Sequence, residues 1–267
     1  MTAIVYMVAG LSSRFEGKIK QFAQVGPNQE TLIEYSLNQA LPAGFDKIIF
    51  IVGEKTYSKF KEKFGDFYKG VQIQYTLQNY DKEKRDKPWG TIDALCSAKN
   101  LIKEPFVVCN GDDIYGKESF KILYNHLQKS REDATIGYVL KDVLPDLGSV
   151  NRGILRTKNH YVTNIQEVFG ISRLNLNEIN LSLENMCSMN IFGLHPETLD
   201  KLNKILLSFK EKNKEDRKIE CLLPVEISNL ITKGETKMKI YPTDDKWFGI
   251  TNPEDEITIR GILRNKK

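Results

Sequence analysis

Short apolar runs recur along the first half of the chain, at Ala3–Val8, Lys47–Val52, Val71–Leu77 and Phe106–Asn110. Between them, residues 31–39, 56–64 and 91–100 carry apolar positions at helical spacing, so strands alternate with amphipathic helices. That βαβ rhythm predicts an α/β fold with a Rossmann-like, doubly wound sheet. Ligands of such sheets sit beyond the carboxyl ends of the strands. The loops after Val8, Leu77 and Cys109 all fall at such ends and are expected to share one crevice.

The second half has a different texture. Residues 134–140, 153–156, 161–167 and 186–194 read as strands separated by Asn-, Pro- and Gly-bearing turns, which predicts a partly antiparallel extension and a mixed sheet. Helices are expected at 196–210 and 223–231 and strands at 237–241 and 246–250. A last helix is expected to open on Asn252, with Pro253 in its first turn and Glu254, Asp255 and Glu256 against the helix dipole. No linker, repeat or low-complexity stretch divides the 267 residues, so one domain, 1–267, is expected, its halves meeting near residue 130.

Composition narrows the partners. With 28% charged residues and a net charge of only +4, the surface reads as solvated, with no nucleic-acid partner expected. The basic-rich runs 81–87 and 210–218 contain acids as well and read as solvated loops or helix ends. Cys96, Cys109, Cys187 and Cys221 form no C-x-x-C pair and read as free thiols of a reducing compartment. None of His126, His160 and His195 stands at ligand spacing to a cysteine, which argues against zinc. Residues 1–11 are apolar but lack a charged flank and are too short to span a bilayer; a cytoplasmic protein without a membrane partner is expected.

Candidate chemistry sits in the predicted loops. After the first strand, Ala9 and Gly10 lead into Ser12, Ser13, Arg14 and Lys20: small residues, hydroxyls and cations that suit a polyphosphate. The plainer reading is a surface turn after an edge strand. Neither a Walker A loop nor a dinucleotide fingerprint fits, since Ile19 follows Gly17-Lys18 and serines follow Gly10. Asp112-Asp113, after the strand Phe106–Asn110, is placed to hold Mg²⁺ through hard oxygens, or is an Asn-Gly-Asp turn bonded to itself. Gln78 with Gly90 and Thr91 offers the mixed donor and acceptor edge a pyrimidine needs, or marks a strand end and a helix cap. Asn190 is a polar residue in an apolar run: a sugar contact or a satisfied core amide.

Taken in order, these motifs resemble the sugar-nucleotide pyrophosphorylases, nucleotidyltransferases that join a nucleoside triphosphate to a sugar 1-phosphate. Ala9-Gly10-Leu11-Ser12-Ser13-Arg14 followed by Lys20-Gln21 is similar to their opening loop, with Ser12 where a second Gly is usual. The resemblance implies a nucleotide-binding half, 1–130, and a sugar-binding half, 131–267. It also implies Arg14 and Lys20 as catalytic cations, the loop as phosphate cradle, and Gln78, Gly90 and Thr91 as contacts to uracil. Asp112 would be a ligand of Mg²⁺. Gly153 and Glu167 match the sugar-contacting Gly and Glu, while Val168 replaces a Lys. The usual second metal ligand falls on Gly249, which has no side chain, so either Asp245 or Asp244 is expected to reach the ion instead, or the metal to rest on Asp112, water and phosphate oxygens alone.

The activity implied is Mg²⁺-dependent, in-line attack of a sugar 1-phosphate on the α-phosphorus of UTP, releasing pyrophosphate. Cytidylyl or thymidylyl transfer to another phosphomonoester, or a silent sugar-nucleotide sensor, are the alternatives.

Overall fold

Alternate residues of the first strand point into different cores, which sets the layering of the whole protein. The structure is a computed structural model and describes residues 1–10, 15 and 17–265. Its first half runs β1 (Ala3–Val8), α1 (Leu32–Ala40), β2 (Lys47–Val52), α2 (Glu54–Phe64), β3 (Phe67–Tyr68), β4 (Val71–Leu77), α3 (Thr91–Ser97), β5 (Phe106–Asn110), β6 (Asp113–Ile114) and α4 (Lys117–Lys129). There follow β7 (Asp133–Val139), α5 (Leu140–Val143), β8 (Val150–Lys158), β9 (Tyr161–Ile171), β10 (Met186–Ser188), β11 (Phe192–Leu194), α6 (Pro196–Lys212), α7 (Leu223–Thr232), β12 (Met238–Pro242), β13 (Phe248–Gly249) and α8 (Asp255–Arg264).

Ile4, Tyr6 and Val8 pack with Ile33 and Leu37 of α1, Phe60 of α2 and Phe120 and Leu123 of α4. Ala3 and Val5 face the other way, into Ile92 and Leu95 of α3, Leu199 and Leu202 of α6 and Ile227 of α7. A period of two on a sheet covered by helices on both faces makes β1 apolar throughout, whereas β4 alternates with Gln72, Gln74 and Thr76 and buries only Ile73.

The sheet is mixed, as expected. Eleven strands follow the order β10-β8-β9-β12-β7-β11-β5-β1-β2-β4-β3. β1 pairs in parallel with β2 and β5, and β2 with β4. The switch comes at β11, antiparallel to both β5 and β7. Because β10 also pairs with β7, the strands β7, β12, β9, β8 and β10 close on themselves beyond that switch.

Several boundaries differ from the pattern reading, each for a local reason. The apolar run 186–194 is two strands, because Asn190 adopts a left-handed φ of 57° and breaks the ladder. The segment 117–129, given no element above, is α4; Phe120, Leu123 and Leu127 form its buried stripe. The last helix begins at Asp255 and not at Asn252: Asp255 Oδ2 accepts Thr251 N and Asn252 N, both at 2.7 Å, and holds those residues in a turn. The two basic-rich runs are not simply solvated. Arg85 is buried, stacks 3.6 Å from the Trp89 ring centre and donates to Ile219 O at 2.6 Å, while Arg217 pairs with Asp86 at 2.8 Å, so the runs pack on each other. No helix among the described residues is long and apolar enough to cross a membrane.

Candidate functional site

The carboxyl ends of β1 and β2 are joined by one hydroxyl. Thr56, in the first turn of α2, accepts Gly53 N at 2.9 Å and donates to Val8 O at 3.2 Å, fastening the loop after β2 to the end of β1. Two cavities open here. One, of about 530 Å³, is lined by Ala9, Gly10, Gly53, Lys55, Gln78 and Pro88 among others. The other, of about 360 Å³, is lined by Lys20, Thr91, Asp112, Asp113, Gly153, Glu167 and Asn190, with Arg152, Trp247 and Gly249. Residues from both halves of the chain therefore line one crevice. Ser12, Ser13 and Arg14 lie outside the described residues.

At the floor of the second cavity Lys20 Nζ donates to Asp112 Oδ2, an ion pair with both side chains about four-fifths covered. Asp113 is buried beside it. Its Oδ2 accepts Asn110 Nδ2 at 3.0 Å and Tyr115 OH at 3.1 Å, and burial, reinforced by the Asp112 charge, pushes its carboxyl up to about 7. β6 and β13 pair here, setting Gly249 opposite Asp113.

Gly249 is closed to a side chain. A Cβ there would stand 2.5 Å from Trp247 Cζ2 and 2.8 Å from Asp113 Oδ1, so the indole and the second carboxylate fill the place. Asp245, expected as the replacement metal ligand, is engaged elsewhere. Its Oδ2 accepts Ser119 N at 2.7 Å and Ser119 Oγ at 3.1 Å, capping the N-terminus of α4, and it does not line the cavity. Among the described residues no cluster of three or more His, Cys, Asp or Glu could hold a metal.

Beside the 530 Å³ cavity, Gln78 and Gly90 touch: Gln78 Nε2 donates to Gly90 O at 3.1 Å and to Asp93 Oδ2 at 2.9 Å. Gly90 has φ 101°, and a Cβ would lie 2.5 Å from Cys221 O, so only glycine fits between the loop and the segment entering α7. Thr91 accepts Leu223 N at 2.8 Å, tying the start of α3 to the same segment. Thus Gly90 and Thr91 both have structural partners, and of the two Thr91 lines a cavity.

Another part of the 360 Å³ cavity is lined by the β8–β9 hairpin. Gly153 stands opposite Glu167, and a register shift between Val150 and Arg152 turns Asn151 and Arg152 toward the cavity. Arg152 donates to Asn151 O at 3.0 Å and Val143 O at 2.9 Å and sits 5.2 Å from the Trp247 ring centre. Burial raises the Glu167 carboxyl above its ordinary value, and the Arg152 charge opposes that rise. Asn190 lines the cavity on the break between β10 and β11. Arg152, Trp247 and Asp93 were missed in the pattern reading. Arg152 precedes the singled-out Gly153, whereas nothing in one dimension marks the other two.

A crevice at the strand ends with a cation paired to a carboxylate is where α/β proteins of this kind hold their ligands. The chain belongs to the nucleotidyl transferase family, whose model matches residues 16–256. No curated protein matches it in sequence. Among solved structures it is similar to a Bacillus anthracis protein described as a glucose-1-phosphate thymidylyltransferase, in complex with sucrose, with TM-score 0.73 at 13% identity over all of this chain and 97% of that one. It is also similar to a UDP-glucose pyrophosphorylase complexed with UDP-glucose, with TM-score 0.69 at 16% identity over all of both chains. A UTP-bound UGPase from Acinetobacter baumannii gives TM-score 0.64 at 16% identity over 98% of this chain and 92% of that one. At these identities the likeness shows the nucleotidyltransferase fold.

Proposed function

We propose that the chain transfers a nucleotidyl group from a nucleoside triphosphate, UTP first among them, to a sugar 1-phosphate and releases pyrophosphate. The observation that carries this reading is the ion pair of Lys20 with Asp112 in a cavity whose opposite wall is the Glu167 hairpin. The solved neighbours described as a thymidylyltransferase and a UDP-glucose pyrophosphorylase support the substrate class.

Mg²⁺ fits this donor set as a sparsely held ion. Asp112, with Asp113 beside it, offers hard oxygens, and Mg²⁺ is commonly bound by one or two carboxylates together with waters and substrate phosphates. When bound, it would neutralise phosphate charge. The remaining work falls to the chain itself. Lys20 orients the acceptor phosphate against the α-phosphorus, Glu167 accepts sugar hydroxyls, and Gln78 holds the base, so that the attacking and leaving oxygens are in line. The bond from the α-phosphorus to the bridging oxygen breaks as the bond to the sugar phosphate oxygen forms. No protein nucleophile is needed.

The test is pyrophosphate release from each nucleoside triphosphate against a panel of sugar 1-phosphates, with and without Mg²⁺. Release that depends on both substrates supports transfer. The filled position at Gly249 favours a second reading, a non-catalytic sugar-nucleotide binder. Tight UDP-sugar binding without any pyrophosphate release would establish it.

A further inference from the structure

The amide of Gln78 is held in one sense. Its Nε2 meets Gly90 O at 3.1 Å and Asp93 Oδ2 at 2.9 Å, and both partners are acceptors only, so the amide nitrogen has to face them. Asp93 is itself fixed. It is 6% exposed, and Lys210 of α6 holds its other oxygen at 2.5 Å. Gln78 Oε1 has no hydrogen-bond partner among the described residues, and Gln78 lines the cavity that also holds Ala9 and Gly10.

We propose that Asp93, positioned by Lys210, makes Gln78 a fixed acceptor, so that the chain prefers nucleotides whose base carries a ring N–H. Uracil, thymine and guanine meet that demand. Cytosine and adenine present a ring-nitrogen lone pair, which would face the lone pairs of Oε1. A free glutamine could turn its amide over and donate to that nitrogen; this one would have to abandon a buried carboxylate to do so. This inference rests on the nucleotidyl-transfer reading for the identity of the ligand, and it adds a positioning residue that touches no substrate.

The experiment is calorimetric titration of the whole protein with UTP, dTTP, GTP, CTP and ATP, without acceptor, in the wild type and in Asp93→Asn. Lys210 can only donate, so in the variant the new amide gives its oxygen to Lys210 and presents its nitrogen to Gln78, leaving Gly90 O alone to hold the Gln78 nitrogen and the Gln78 amide able to turn. In the wild type the best ring-N–H nucleotide is expected to bind tenfold to a hundredfold tighter than CTP, roughly what one unmade hydrogen bond to a base costs. In Asp93→Asn that ratio is expected to narrow at least fivefold. Should this variant fail to fold, Asp93→Ala combined with Lys210→Met removes both charges together and is expected to narrow the ratio likewise.

A wild type that binds CTP within tenfold of its best nucleotide, or a variant whose ratio stays within fivefold of the wild-type value, overturns the proposal. Selectivity as described with no transfer to any sugar 1-phosphate would remove the transfer reading and leave the lock standing. Absence of all nucleotide binding would remove both.

Discussion

Lys20 and Asp112, 92 residues apart in sequence, meet as an ion pair at the floor of the crevice, where the loops after β1 and β5 converge. Each is the other's counter-charge, and the proposed transfer gives Lys20 a task at the phosphates. Because the pair keeps contact with solvent, its contribution to stability is small, about 0–1 kcal/mol. A preorganised cation at a phosphoryl centre is worth far more to the transition state. Lys20→Met is therefore expected to lower kcat by about 10²–10³ while the melting temperature moves by no more than a few degrees. Steady-state pyrophosphate release and thermal unfolding measure the two quantities; turnover within a few-fold of normal would remove Lys20 from the chemistry.

Gly249 is occupied by its neighbours. With the Trp247 ring 2.5 Å and Asp113 Oδ1 2.8 Å from an added Cβ, Gly249→Ala is an overpacking change expected to cost about 1–3 kcal/mol. Trp247→Leu removes the ring atoms concerned. In that background the same alanine is expected to cost at least 0.5 kcal/mol less, a coupling of the size found between touching residues. Urea unfolding of the four proteins of this cycle measures it, and strict additivity would show that the indole is not the obstacle.

How much of this could be read in one dimension differs by layer. β1, β2, β4 and β5 fall where the runs placed them, the first two and β5 because strands covered on both faces are largely apolar, β4 because Val71, Ile73 and Tyr75 alternate with Gln72, Gln74 and Thr76. The mixed sheet was also legible, since Asn, Pro and Gly crowd between the later strands. The break at Asn190 was not, because a left-handed residue inside an apolar run leaves no periodic trace. α4 was readable from Phe120, Leu123 and Leu127, yet the carboxylate that caps it, Asp245, lies 126 residues further on and was expected at a metal instead. Pairings of that separation, like Asp93 with Lys210, depend on tertiary packing and have no local signature.

Gly90 can be tested through the wall it touches. A φ of 101° disfavours any other residue, and an added Cβ would meet Cys221 O at 2.5 Å, backbone that cannot rotate away. Gly90→Ala is expected to destabilise by about 2–4 kcal/mol, left-handed strain and overpacking together. Since Gly90 O also receives Gln78 Nε2, the shift is expected to raise KM for the nucleoside triphosphate more than KM for the acceptor. Equal effects on both would mean that the loop acts on the crevice as a whole.

Asp133 gives the protein a pH dependence remote from the crevice. Burial raises its carboxyl above the ordinary value of 3.8, although Thr236, Thr198 and the backbone N–H of His195 donate to it, at 2.7, 2.7 and 3.0 Å, and the nearby His195 charge also acts against the rise. The folded chain thus holds this proton more tightly than the unfolded chain. Its contribution to stability is greatest below 3.8 and declines as the pH rises through the folded value. Asp133→Asn keeps an acceptor for His195 N and removes the titration. The melting temperature of the variant relative to the wild type is expected to increase as the pH rises from the ordinary value of 3.8 and to level off above the folded value; a difference independent of pH would place the titrating group elsewhere.

The proposed transfer gives Glu167 a role in acceptor binding, because it stands on the β8–β9 hairpin and lines the 360 Å³ cavity, whereas Gln78 lines the 530 Å³ one. A carboxylate accepts two hydroxyls at once, whereas an amide offers one acceptor and a donor that each sugar hydroxyl must turn to meet. Glu167→Gln is therefore expected to raise KM for the sugar 1-phosphate tenfold to a hundredfold, the loss of one or two charge-assisted hydrogen bonds, and to leave KM for the nucleotide within twofold. The wild-type pH profile carries a second signature. Burial lifts this carboxyl above its ordinary 4.5 and Arg152 only partly restores it, so kcat/KM for the acceptor is expected to climb with pH through that raised value. The glutamine variant should lose this climb. If both proteins show the same acidic limb, the group that must be ionised is another one, and Glu167 serves the hairpin without touching the sugar.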